Sequence, residues 1–139
     1  MKVARVILTI FALFISAVTV GQSRGIDVSR YQKNIDWKRV KGAKIGFVYI
    51  KATEGASYTD PYFAKNIAGA RAAGLPVGVY HFFRMTSSAQ EQFNHFKRTV
   101  GSRKMDLIPM IDIEVADGCT KAQIQKRLDA LIALFKREY

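Results

Sequence analysis

Four short apolar runs, rich in β-branched and aromatic residues and about 20 to 30 residues apart, constrain this chain more than any other feature. They are Gly25 to Ser29, Ile45 to Ala52, Leu75 to Phe83 and Leu107 to Val115. Helix-compatible segments separate them. Asp60-Pro61 predicts a helix start, with Asp60 as N-cap and Pro61 at the first helical position, and Gly74 predicts its end. Ser87 or Ser88 can cap a second helix running to about Val100, in which Phe93, Phe96 and Val100 share one face. Thr120 with Gln123 forms a capping box for a third, striped by Ile124, Leu128, Leu131, Ile132 and Phe135. Asp36 to Lys41 can make a short helix in the first connection, where Trp37 reads as a core anchor. A βαβα rhythm with strands apolar on both faces predicts an α/β fold with a parallel sheet covered by helices, either open or closed into a barrel.

At 139 residues, 49% of them apolar, the chain can build one core. Residues 1–21 read as a secretory signal: Lys2 and Arg5 precede an uncharged stretch from Val6 to Val20, and Thr19-Val20-Gly21 offers a cleavage site before Gln22. The stretch is shorter than the roughly 20 apolar residues of a spanning helix, which favours a cleaved signal over a retained anchor. The expected location is therefore secreted or periplasmic, with no stable membrane partner after cleavage. The folded domain spans 22–139. Cys119 is the single cysteine, so no internal disulfide can form, and it reads as a small packing residue before a helix. The net charge of +11 favours anionic partners. The basic residues are dispersed and no nucleic-acid-binding motif occurs, so a bacterial wall fits that charge better than nucleic acid.

In parallel α/β folds, functional groups gather at the carboxyl ends of strands. Four acids occupy such positions: Asp27, Glu54, Asp112 and Glu114. Asp112 and Glu114 flank one residue of a strand, so their side chains share a face with Cα atoms about 6.6 Å apart. Two carboxyl groups so close cannot both ionise freely, and one is expected to hold a proton near neutral pH. Glycoside hydrolysis needs that pairing: a protonated carboxyl for the leaving oxygen and a carboxylate for the charge developing on the ring. A solvated strand edge is the alternative, against which Ile108, Met110, Ile111, Ile113 and Val115 are expected to bury the strand. No calcium-type Asp-rich loop and no zinc-type Cys/His spacing occurs, so neither metal nor cofactor is expected. His81, inside an aromatic strand, is expected to line a pocket or to be buried and hydrogen-bonded, and His95 to lie at the surface or in packing. Of Tyr80, Phe82 and Phe83, strand alternation favours Tyr80 as the residue that meets sugar.

The motifs Gly25-Ile26-Asp27-Val28-Ser29 with Tyr31-Gln32, Phe47 to Gly55 (FVYIKATEG), Gly78-Val79-Tyr80-His81-Phe82 and Ile111-Asp112-Ile113-Glu114, in this order, resemble the family 25 glycoside hydrolases, the CH-type lysozymes. The resemblance implies an N-acetylmuramidase that cuts the β-1,4 bond between N-acetylmuramic acid and N-acetylglucosamine in peptidoglycan, on a TIM-like (β/α) barrel. It implies Glu114 as general acid and Asp112 as the carboxylate that supports the transition state or orients the substrate's acetamido group. Asp27 and Glu54 then help to position substrate and tune the central pair, and the expected course is retention with substrate assistance. Barrels of this kind run to at least about 200 residues. About four βα units are therefore expected here, an incomplete barrel truncated at its C-terminal side. A wall-binding module without catalysis and a hydrolase of another polysaccharide are the competing readings.

Overall fold

The computed structural model describes residues 23–139, so the expected signal at 1–21 lies outside the described residues. Four strands build a parallel sheet: β1 (Arg24–Val28), β2 (Ile45–Glu54), β4 (Val77–Phe82) and β5 (Met110–Asp112), hydrogen-bonded in that order. A two-residue strand, β3 (Tyr58–Thr59), folds back antiparallel on the end of β2 and has no counterpart in the sequence reading. The connections are a 3-10 turn (Arg30–Gln32) with the short helix α1 (Trp37–Gly42), then α2 (Phe63–Ala72), α3 (Ala89–Val100) and α4 (Lys121–Glu138). This is an α/β half-barrel of four parallel strands, in agreement with the expected class.

Side-chain alternation divides the sheet. Val48, Ile50 and Ala52 of β2, with Val77 and Val79 of β4, are fully buried in the core beside Phe63, Ile67, Phe93 and Phe96 of the helices. His81 lies on this helical side. Its Nδ1 faces the Thr53 hydroxyl at 2.8 Å and its Nε2 faces Gln92 Oε1 at 2.9 Å, and burial lowers its pKa to about 4. His95 packs at the rim against Thr59 and the Tyr58 carbonyl. Trp37 lies across Gly69 of α2, half-buried against the core as anticipated.

The expected caps form at Ser88 and Thr120, each a capping box with Glu91 or Gln123. Two expectations need correction. α2 begins at Phe63 rather than Pro61, because the Asp60 carboxylate accepts from the backbone of both Arg30 and Tyr62 at 2.9 Å and so ties the β1 loop to the turn before the helix. The fourth strand is three residues long and not buried: Ile108 is 76% exposed, Ile113 41% and Met110 37%. β5 has one hydrogen-bonded neighbour, β4, so half of its surface meets no other strand among the described residues.

On the other face of the sheet, Gly78 leaves room for the Tyr49 ring, whose hydroxyl donates to the Ile108 carbonyl at 3.0 Å. A Cβ at residue 78 would lie 2.5 Å from that ring. Gly78→Ala should therefore displace Tyr49 and cost about 1–3 kcal/mol, read as a lower urea midpoint with an unchanged slope. An unchanged midpoint would show that the ring moves aside freely.

Candidate active site

In-register neighbours on parallel strands share a face, and here the register gathers the acids. Asp27 stands opposite Tyr49, Lys51 opposite Tyr80, and Glu54 opposite Phe82, which in turn stands opposite Asp112. All lie on the face away from the helices. Glu54 reaches it through an irregularity: simple alternation from Ile50 and Ala52 would point Glu54 into the helical core. A bulge between Lys51 and Thr53 places one extra residue in β2, so Thr53 joins His81 on the core side and Glu54 joins Lys51 on the other.

Asp112 ends β5, and Glu114 follows two residues later on exposed chain. The two carboxyl groups are close enough for Glu114 to act on Asp112. Burial pushes the Asp112 carboxyl above its ordinary value and the charge of Glu114 pushes it further; Lys51 pulls it down, and the charge of Asp27 adds a weaker upward push. Tyr80 lies beside this group. Its hydroxyl is raised mainly by burial, then by the charges of Asp27 and Asp112. At 7% exposure its ring lines the floor of the group rather than offering an open platform.

Glu54 occupies a different electrostatic setting. Burial would raise its carboxyl, but hydrogen bonds and charges from Lys51 and Arg84 outweigh that and hold it below the ordinary range. Lys51 Nζ lies 2.8 Å from Oε2 and Arg84 Nη1 2.9 Å from Oε1. Arg84 also grips Asp117 through two bonds, of 2.8 and 2.9 Å, and Asp117 accepts from the Met85 backbone at 2.8 Å. Glu54 is thus a fixed carboxylate, bonded on both oxygens. A concavity of about 380 Å³ opens beside it, lined in part by Ser57, Tyr58 and Ser87.

Lys51, Arg84 and Asp117 were missed by the sequence reading. Lys51 carried a signal: it is the one cation in the apolar run Ile45 to Ala52, and it is buried with its ammonium 4.4 Å from the Phe82 ring centre. Arg84 and Asp117 lie 33 residues apart on loops and carried none. Cys119 is free and half-buried against the core. No group of three or more His, Cys, Asp or Glu side chains suited to a metal occurs among the described residues, and no helix among them is long and apolar enough to cross a membrane.

The raised Asp112 carboxyl has a consequence for stability. The folded chain holds this proton more tightly than the unfolded chain, so ionisation costs stability as pH rises from 3.8 through the raised value. Asp112→Asn should raise the melting temperature at pH 7 and change it little below pH 3.8. A lower melting temperature at pH 7 would contradict the strained state assigned to Asp112.

The family model for glycosyl hydrolases family 25 matches residues 26–139. The chain is 36% identical over 118 residues to the uncharacterized protein YegX of Escherichia coli strain K12, an alignment covering 81% of this chain and 43% of that protein. It is 44% identical over 95 residues to lysozyme M1 of Streptomyces globisporus, covering 66% of this chain and 32% of that one. Among solved structures, a family 25 glycosyl hydrolase from Bacillus anthracis superposes with a TM-score of 0.77 at 35% identity, over 85% of this chain and 57% of that chain. A bacterial lysozyme from Streptomyces coelicolor gives 0.73 at 36%, over 83% and 58%. The chain therefore spans less than half the length of these curated relatives.

Proposed function

The chain belongs to glycosyl hydrolases family 25, and on that premise we propose that it acts as an N-acetylmuramidase on the peptidoglycan of bacterial walls. The observation that carries this reading is the Asp112 carboxyl, raised by burial and by Glu114 on a sheet face that also bears Asp27. Such a pair holds a proton at a pH where an isolated surface carboxyl has lost it.

Glu114, the more exposed of the two, is placed to meet the glycosidic oxygen as the proton donor while the bond to the muramic acid C1 breaks. Asp112 supports the positive charge developing on the ring or orients the substrate's acetamido group, which attacks C1 from the opposite face in a substrate-assisted, retaining course. Water then opens the cyclic intermediate, and its remaining proton returns to Glu114. Asp27 adds negative charge beside the pair, and Tyr80 lies near enough to feel the charge of both aspartates. Glu54, clamped by Lys51 and Arg84, accepts hydrogen bonds from sugar hydroxyls without competing for the catalytic proton. Residues 1–21 are read as a signal, and the chain stays strongly basic without Lys2 and Arg5 of that segment, so the protein works outside the cytoplasm on an anionic wall.

A second reading, a wall-binding module without turnover, is favoured by one fact: β5, which carries Asp112, is three residues long, pairs only with β4 among the described residues, and is flanked by the exposed Ile108 and Ile113. Incubation with purified, washed wall separates the two. Soluble muropeptides in the supernatant support the muramidase, whereas co-sedimentation with wall and no soluble product supports the module.

A further inference from the structure

Next to the carboxyl end of β1, outside the acid group, the chain builds a second cleft of about 400 Å³, lined by Arg30, Tyr31, Lys33, Pro61 and Tyr62. Tyr31 is 73% exposed, an arrangement that leaves a large aromatic face in water. The Arg30 guanidinium lies 4.8 Å from the centre of that ring, 5.7 Å from the centre of the Tyr58 ring, and donates to the Tyr31 hydroxyl at 3.1 Å. Its side chain is thereby pre-oriented. Its backbone is fixed as well, since its N–H donates to the buried Asp60 carboxylate at 2.9 Å, which also accepts from Tyr62. Asp60 is spent on backbone groups, and among the described residues neither Arg30 nor Lys33 has a carboxylate within ion-pair distance. Lys33 holds a φ of 52°, a left-handed backbone that a residue with a Cβ adopts at a cost.

An exposed aromatic face beside two cations without carboxylate partners suits one chemistry: the flat apolar side of a sugar ring carrying an anionic group. We propose that this cleft binds a carboxylate-bearing sugar of a glycan strand that carries no peptide, whose lactyl carboxylate is free, with Tyr31 against the ring and Arg30 and Lys33 on the acid group. The identity of the polymer rests on the muramidase reading. The cleft's preference for an acidic sugar does not, because it is a property of binding and can be measured without turnover.

The test uses the full chain carrying Glu114→Gln, so that no ligand is cleaved, and two probes of equal length: the tetrasaccharide of alternating N-acetylglucosamine and N-acetylmuramic acid, and uncharged chitotetraose. The parent should bind the acidic tetrasaccharide more tightly. Adding Arg30→Gln with Lys33→Gln should weaken that ligand about tenfold, the loss of a charge-assisted contact, and leave chitotetraose unchanged. Tyr31→Ala should weaken both ligands. The proposal is overturned if the parent has no preference for the acidic ligand, if the double change weakens both ligands equally or neither, or if a glycerol-phosphate polymer displaces the acidic tetrasaccharide at lower concentration than the muramyl ligand itself. Failure to hydrolyse wall with the preference intact would remove the muramidase reading and leave the cleft standing.

Discussion

Replacing Glu114 by Gln should lower the release of reducing ends from purified wall by about 10²- to 10³-fold, while co-sedimentation with the same wall changes less than twofold. Gln matches Glu in size and keeps a polar group at the same position, so the change removes the ionisable carboxyl and little else. Glu114 lies on exposed chain beyond the end of β5, which limits any effect on folding. One charge disappears as well, and with it part of what raises the Asp112 carboxyl. Asp112 should then titrate closer to its ordinary value, a change visible in its side-chain carboxyl resonance. Loss of rate with this shift and with wall binding intact identifies a proton donor. Loss of rate together with binding would make Glu114 a substrate contact, and an unchanged rate would remove it from the chemistry.

Phe96→Ala should be the most destabilising single change in the fold, at about 3–5 kcal/mol, with a fall in melting temperature of more than about 10 °C. Phe96 is fully buried in α3, with its ring centre 4.8 Å from that of Phe135, 6.0 Å from Tyr139 and 6.1 Å from His81. α4 packs chiefly on α3 and buries only Leu131 and Phe135 fully, so this aromatic cluster is its principal anchor. The other α3–α4 tie, the pair Lys97–Glu138 at 2.7 Å, is half exposed and contributes little. Amide exchange should accelerate first in α4 and only afterwards in β2 and β4. An unfolding midpoint within error of the parent would mean that α4 is held by contacts other than this cluster.

The rhythm of elements was legible because buried parallel strands need apolar side chains on both faces, and because Ser88 and Thr120 carry their capping partners three residues on. Asp27 and Asp112 were legible as acids at strand ends, and the register places them on one face. Glu54 was legible as an acid but not as a neighbour of Lys51, since its orientation depends on the bulge after Lys51, which leaves no mark in the hydrophobic pattern. The Arg84–Asp117 pair joins two loops and follows no local spacing. The fourth strand was read too long because its apolar run continues where its hydrogen-bonding does not: Ile108 and Ile113 are β-formers by composition but flank a three-residue strand. Asp60 does accept from the Tyr62 N–H as a cap would, but Pro61 and Tyr62 form a turn and α2 starts only at Phe63, while the second Asp60 oxygen accepts from Arg30 in the loop after β1, a long-range bond no local pattern announces.

If the Asp112 and Glu114 pair cuts the glycan on the muramic acid side, that sugar must supply the new reducing ends. Muropeptides released from purified wall are reduced with borohydride and their termini identified by mass spectrometry. Reduced N-acetylmuramic acid should stand at the new ends and be absent from digests with the Glu114→Gln protein. Reduced N-acetylglucosamine at those ends, or no new ends from the unaltered chain, would contradict that cut.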